Sequence, residues 1–188
     1  ENGLADAPPL AIYTSSETHS SVEKDAKIAG IGRQFVRKVA VDRNFAMRPD
    51  TLAQVIARDR ADGVTPAMVV ATLGTTGVGA IDPLRAIGDI CRHEGLYLHV
   101  DAAWAGSALI LDEHRWMIDG IEAVDSFVFN PHKWLLTNFD CSAHFIRDPD
   151  ALVRTLSILP EYLKTQTADD VIDYRDWSVP LGRRFRAL

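Results

Sequence analysis

Cysteine is scarce in this chain: Cys91 and Cys141 are its only two, too few for a disulfide framework in 188 residues. Each lies in an apolar run, the setting of a buried free thiol in a reducing compartment. Basic charge is not in excess, since 20 Lys and Arg stand against 26 Asp and Glu for a formal net charge of −6. The one basic cluster is Arg183-Arg184-Phe185-Arg186. That balance leaves no footprint for a nucleic acid and none for an anionic membrane surface. No apolar run approaches the roughly 20 residues of a bilayer span. The N-terminal stretch lacks the basic-then-apolar pattern of a secretory signal, so the expected location is cytoplasmic. Repeats and low-complexity segments are absent as well. With 47% hydrophobic and 24% charged residues, the composition is that of a soluble globular domain with a sizeable core.

The ends lead to an expectation of their own. Glu1-Asn2-Gly3 opens the chain without an initiator Met, and Arg184-Phe185-Arg186-Ala187-Leu188 resembles the first turn of an unfinished helix. A fragment of a longer polypeptide is expected. Between them, Leu10 to Tyr13 reads as a short buried strand. Ser20-Ser21-Val22-Glu23 has capping-box spacing, with Ser20 as N-cap and Glu23 reaching back. Phe35 to Val41 is β-rich, and Asp50 is expected to cap a helix running to about Arg60. Ala67 to Leu73 is a continuous apolar run of the kind buried on both faces of a sheet. Asp82-Pro83 is expected to open a helix to His93 that Gly95 closes. Leu96 to Asp101, Ser126 to Phe129 and Cys141 to Ile146 complete the strands, the last arriving soon enough after its predecessor to run antiparallel to a neighbour. Strands alternating with helices imply an α/β domain around a mainly parallel sheet, with ligands beyond the carboxyl ends of its strands. Thr75-Thr76, Asp101 and Asn130-Pro131-His132-Lys133 all fall at that edge. The pattern dissolves into a long polar stretch from Ser157 to Pro180.

Four features could carry chemistry. Lys133 follows an apolar strand, and desolvation by Phe129, Trp134 and Leu135 would favour the neutral amine that forms a Schiff base. The competing reading is a strand-end lysine whose head stays in solvent. Asp101 shares a strand face with His99, while Leu98 and Val100 take the other. Its carboxylate could pair with a pyridinium nitrogen, cap a helix or ligate a metal, though no second pair with metal-site spacing accompanies His99 and Asp101. Gly74-Thr75-Thr76-Gly77-Val78-Gly79 resembles a phosphate cradle without the ending of a P-loop. His19 precedes a helix N-terminus, where it could stack on an aromatic ligand or hydrogen-bond its own loop.

Together these stretches resemble the group II decarboxylases that depend on pyridoxal 5'-phosphate (PLP), the family of aromatic-L-amino-acid, tyrosine, histidine and glutamate decarboxylases. The resemblance rests on His19-Ser20-Ser21-Val22-Glu23-Lys24, Ala71-Thr72-Leu73-Gly74-Thr75-Thr76-Gly77, His99-Val100-Asp101-Ala102-Ala103-Trp104-Ala105-Gly106 and Asn130-Pro131-His132-Lys133-Trp134. It continues through Asn138-Phe139-Asp140-Cys141-Ser142, Asp173-Tyr174-Arg175 and Pro180-Leu181-Gly182-Arg183-Arg184-Phe185-Arg186, in the family's order.

The resemblance implies the large domain of an aspartate-aminotransferase-like, fold-type-I enzyme. Residues 1–156 would belong to the PLP-binding domain, 157–180 to a mobile catalytic loop, and 181–188 to the start of a following helix. The family's N-terminal phosphate-binding loop and C-terminal small domain would lie outside the chain. Lys133 would hold PLP as a Schiff base, Asp101 would face the pyridine nitrogen, and His19 would stack on the ring with Ala103 against its other face. Thr76 and Asn130 would contact the cofactor, Asn130 near the phosphate with His132 close by. Tyr162 would return a proton to the carbon that loses CO2. A phenylalanine there goes with aldehyde-forming relatives, so Tyr162 favours plain decarboxylation. Gly182 would leave room for a large aromatic substrate, and no metal is implied. The family is homodimeric. A PLP-dependent aldehyde synthase on the same scaffold and a non-catalytic interaction module are the alternatives.

Overall fold

The computed structural model describes residues 3–158, 174–180 and 182. The chain divides into two compact units, residues 1–145 and 146–188. In the first, strands β1 (Leu10–Ser15), β2 (Val36–Val39), β3 (Thr65–Thr72), β4 (Tyr97–Asp101), β5 (Ser126–Phe129) and β6 (Ala143–Ile146) form one sheet in the order β2-β1-β3-β4-β5-β6. The pairs β1–β2, β1–β3, β3–β4 and β4–β5 are parallel. Helices α1 (Ser21–Ile28), α2 (Pro49–Ala61) and α3 (Leu84–Glu94) supply the crossovers, and α4 (Pro131–Trp134) is a single turn after β5. The second unit contains α5 (Pro149–Leu156), capped by the Asp148 carboxylate accepting the Ala151 N–H at 2.9 Å, and a 3-10 turn at Tyr174–Trp177.

Alternation along the strands assigns each helix to a face. Val69 and Ala71 of β3 and Leu98 and Val100 of β4 are fully buried in one cluster with Leu52 and Ile56 of α2 and Leu84, Ile87 and Cys91 of α3. Each such aliphatic side chain contributes about 1.5–3 kcal/mol when withdrawn from water. Ile12 and Val70 point the other way, against Ala26 of α1. His99 and Asp101 share that second face, so the sheet keeps its polar strand-end groups opposite its main core. One ion network ties the edge together. Asp59 of α2 accepts from Tyr13 Oη at 2.8 Å and from Arg37 Nη2 at 2.8 Å, joining α2 to β1 and β2. Burial pushes the Asp59 carboxyl up, but the bonds from Arg37 and Tyr13 outweigh it and hold the group below the usual range.

Three helix starts differ from the sequence expectation, each because a side chain finds a better partner. The Ser20–Glu23 capping box does not form: Ser20 makes no side-chain cap bond. Glu23 instead pairs with Arg33 at 2.7 Å and Lys38 at 3.2 Å. Asp50 lies inside α2, which begins at Pro49, and its carboxylate pairs with Arg48 at 2.6 Å. Asp82 does not cap α3. It is buried and accepts the backbone N–H groups of Met47 at 2.7 Å and Thr72 at 2.8 Å. Gly95 does close α3, in the left-handed conformation that glycine tolerates. Cys91 is buried and its thiol is pushed up to about 12 by desolvation, whereas Cys141 is only partly buried.

Candidate active site

The carboxyl ends of β1, β3, β4 and β5 converge because their register is parallel: Thr72 lies beside Asp101, and Asp101 beside Val128. Over that edge opens a cavity of about 740 Å³. Of the residues the sequence singles out, His19, Thr76, Asp101, Ala103, Asn130 and Lys133 all line it. Four separate loops therefore deliver an imidazole, a hydroxyl, a carboxylate, an amide and a primary amine to one space.

Each loop is held from below. A buried hydroxyl cluster sets the loop after β1: Thr14 Oγ1 donates to Thr18 Oγ1, which lies 3.3 Å from Ser15 Oγ and 3.4 Å from Thr72 Oγ1. His19 follows directly. Its Nδ1 accepts the Ser21 N–H at 3.2 Å and lies 3.0 Å from Ser21 Oγ. The imidazole thus does the work expected of Ser20 at the start of α1, and its remaining proton sits on Nε2. In the glycine-rich turn the two threonines divide their roles. Thr75 is buried and accepts the Ala80 N–H at 2.9 Å, which leaves exposed Thr76 to face the cavity. Gly74 has φ +82, and a Cβ there would come within 2.6 Å of Ala105 Cβ, so no other residue fits without displacing the next loop.

Asp101 ends β4 with Oδ1 accepting the Ala103 N–H at 3.0 Å. Oδ2 has no hydrogen-bond partner among the described residues, an acceptor left for a ligand at the cavity wall. Beside it on the same strand face, partly buried His99 bonds Ser126 at 2.7 Å through Nδ1. Desolvation pushes its imidazole below the usual histidine range, the Asp101 charge opposing. Asn130 caps α4. Its backbone carbonyl accepts the Lys133 N–H at 2.9 Å, and its side-chain oxygen accepts from Ser142 Oγ.

Some sequence expectations need revision. Lys133 is exposed in this chain. Trp134 and Leu135, the neighbours expected to desolvate it, are themselves 46% and 43% exposed. They follow Lys133 at the end of a one-turn helix and leave it exposed. His132 is not among the cavity's lining residues. Its Nδ1 accepts the Cys141 N–H at 3.0 Å and braces the segment after α4. Gly182 is exposed with no atom within 4 Å of a built Cβ, and Tyr162 lies outside the described residues. Conversely, Ser126, Ser142, His144 and Trp104 line the cavity. The sequence offered one signal for Ser142, its place in the Asn138–Ser142 block. His144 and Ser126 could be placed only once strand order was known.

The donor set suits pyridoxal phosphate: an amine for its aldehyde, an acid for its ring nitrogen, an imidazole and a methyl for its faces, and hydroxyl and amide groups for polar contacts. Among the described residues no group of three or more His, Cys, Asp or Glu could hold a metal ion, and no helix is long and apolar enough to cross a membrane.

A mostly parallel sheet with this set of groups at its carboxyl edge defines a PLP-binding domain. The pyridoxal-dependent decarboxylase conserved domain matches residues 5–188, and the chain belongs to that family. It is 49% identical to mouse aromatic-L-amino-acid decarboxylase over 181 residues, covering 95% of this chain and 37% of the relative. It is 48% identical to phenylacetaldehyde synthase of Arabidopsis thaliana over 183 residues, again covering 95% and 37%. The Oryza sativa TDC crystal structure with PLP and tryptamine superposes with a TM-score of 0.92 at 38% identity, covering 98% of this chain and 38% of that one. The chain thus spans less than two-fifths of the length of these relatives.

Proposed function

We propose that the complete protein decarboxylates an aromatic L-amino acid to the amine and CO2. The observation that carries this reading is the placement of Lys133, Asp101 and His19 around one cavity. Bound PLP supplies an aldehyde for covalent capture of amines and a protonated ring that takes up the electron pair left by CO2.

The chain's own residues do the rest. Lys133 Nζ is the amine that would hold the cofactor through its aldehyde. Its position on an open, one-turn helix leaves it room to swing clear. Asp101 would keep a proton on the ring nitrogen, its free oxygen accepting a charge-assisted hydrogen bond from the ring N–H. His19, with Nδ1 engaged by Ser21, would stack on one face of the ring, and Ala103 would leave room at the other. Thr76 and Asn130 fix the polar periphery, and His132 holds the α4 segment from outside the cavity. Tyr162 returns a proton to the α-carbon. The stretch 157–180 acts as the closing loop that keeps water from that carbon, and Gly182 gives a bulky ring space. Tyr162 is the residue that favours amine as the product, against the aldehyde chemistry named for the phenylacetaldehyde synthase relative. A non-catalytic module would leave the cavity's amine and acid without use.

The active form is a cytoplasmic homodimer. Leu136, 97% exposed, and Phe139, 74% exposed, both follow the Lys133 helix and present apolar surface that a second copy would cover. The test is a product assay of the complete protein with Trp, Tyr, Phe and DOPA. Amine and CO2 in equal amounts are expected, and stoichiometric aldehyde, peroxide and ammonia would overturn the choice.

A further inference from the structure

Trp104 follows Ala103 on the loop that leaves β4, one residue beyond the cofactor floor. Its indole stacks on that of Trp134 with ring centroids 4.7 Å apart and planes 6° from parallel. Trp134 is the residue after Lys133 on α4. The same indole meets a third loop: a Cβ built at Gly74 would lie 2.9 Å from Trp104 Cε3, and one at Gly79 would lie 3.9 Å from Trp104 Cζ3. Trp104 also lines the cavity itself. One side chain thus touches the turn that carries Thr76, continues the loop that carries Asp101 and Ala103, and grips the helix that carries Lys133.

The helix needs such a grip. Four residues make only one turn, with little intrinsic stability. Besides the Asn130 N–H bond to the Ala103 carbonyl at 3.1 Å, the flat indole contact ties α4 to the β4 loop. Stacked aromatic pairs add a modest stabilisation beyond area burial. That is enough to bias a one-turn helix, and too little to hold up a whole fold.

We propose that Trp104 is a positioning residue that clamps the Lys133 helix to the Asp101 loop by stacking on Trp134. The clamp rests on the reading that Lys133 and Asp101 hold opposite parts of one cofactor. A clamp acts on the relative placement of amine and acid, so its loss lowers turnover and cofactor retention while substrate affinity stays level.

The test uses the complete protein with Trp104→Ala and Trp104→Phe. Stacked indoles give an exciton couplet in far-ultraviolet circular dichroism. That couplet should vanish in Trp104→Ala and in Trp134→Ala alike, with or without cofactor. Trp104→Ala should release PLP about tenfold more readily and lose about tenfold in kcat, with KM within about twofold. Trp104→Phe should lose the couplet but recover most of both. Unchanged kcat and PLP release in Trp104→Ala would overturn the clamp. So would equal losses in the two Trp104 variants that track thermal unfolding of the cofactor-free protein, or a wild type with no couplet. A wild type that bound no PLP would instead defeat the decarboxylase reading, and the couplet would still decide whether the stack exists.

Discussion

Asp101 and His19 show how much of the site is decided by single hydrogen bonds. One Asp101 oxygen is committed to the Ala103 N–H, which orients the carboxylate, and the other remains available toward the cavity. Replacing it by asparagine keeps the size and the Ala103 bond but removes the negative charge that holds a proton on a ring nitrogen. Asp101→Asn is therefore expected to bind PLP and to lose at least about a hundredfold in kcat, on the scale of removing one charge-stabilising group. Asp101→Glu should retain more. Absorbance of the bound cofactor and steady-state kinetics check this, and near-normal turnover in Asp101→Asn would contradict the assigned role. His19 is set by the same logic. The Ser21 N–H occupies Nδ1, so the ring enters the cavity with its tautomer already chosen.

Among the secondary-structure elements, Asp82 is the most exacting residue. Its buried carboxylate joins the end of β3 to the segment before α2 through two backbone N–H groups, beneath the turn that carries Thr76. Desolvation raises it to about 6, the two backbone bonds opposing. A folded-state value above the unfolded one means that the group's contribution to stability is complete below about pH 4 and is lost as pH rises through about 6. The difference corresponds to roughly 3 kcal/mol at most. Asp82→Asn lacks that titration. Relative to the wild type it should gain up to about 3 kcal/mol between pH 4 and pH 7, on top of a pH-independent cost from the N–H that now faces an amide NH2. Urea unfolding midpoints at the two pH values test the sign, and a relative loss across that interval would contradict it. The same residue marks the limit of what was legible in the sequence. Asp82-Pro83 looks like a helix cap, and only the fold reveals that two distant backbone groups compete for the carboxylate. Strands and helices could be read because apolar periodicity is local. The edge residues Thr76, Asp101 and Lys133 could be read because parallel strands gather their carboxyl ends. The partners of Glu23, Asp82 and His132 could not, since each is met only once the chain has folded back.

For the whole molecule, the sheet acts as a rack: its main core faces α2 and α3, and its opposite, polar-edged side is left to hold a ligand. The chain spans less than two-fifths of the length of its relatives, so turnover is tested on the complete polypeptide. What the rack must do by itself is present one particular amine to the cofactor. The direct measurement is reduction of the PLP-loaded complete protein with borohydride, followed by peptide mass spectrometry. The pyridoxyl mass increment should fall on Lys133 and be absent from Lys133→Ala. An increment on another lysine, or one that survives the substitution, would contradict the account.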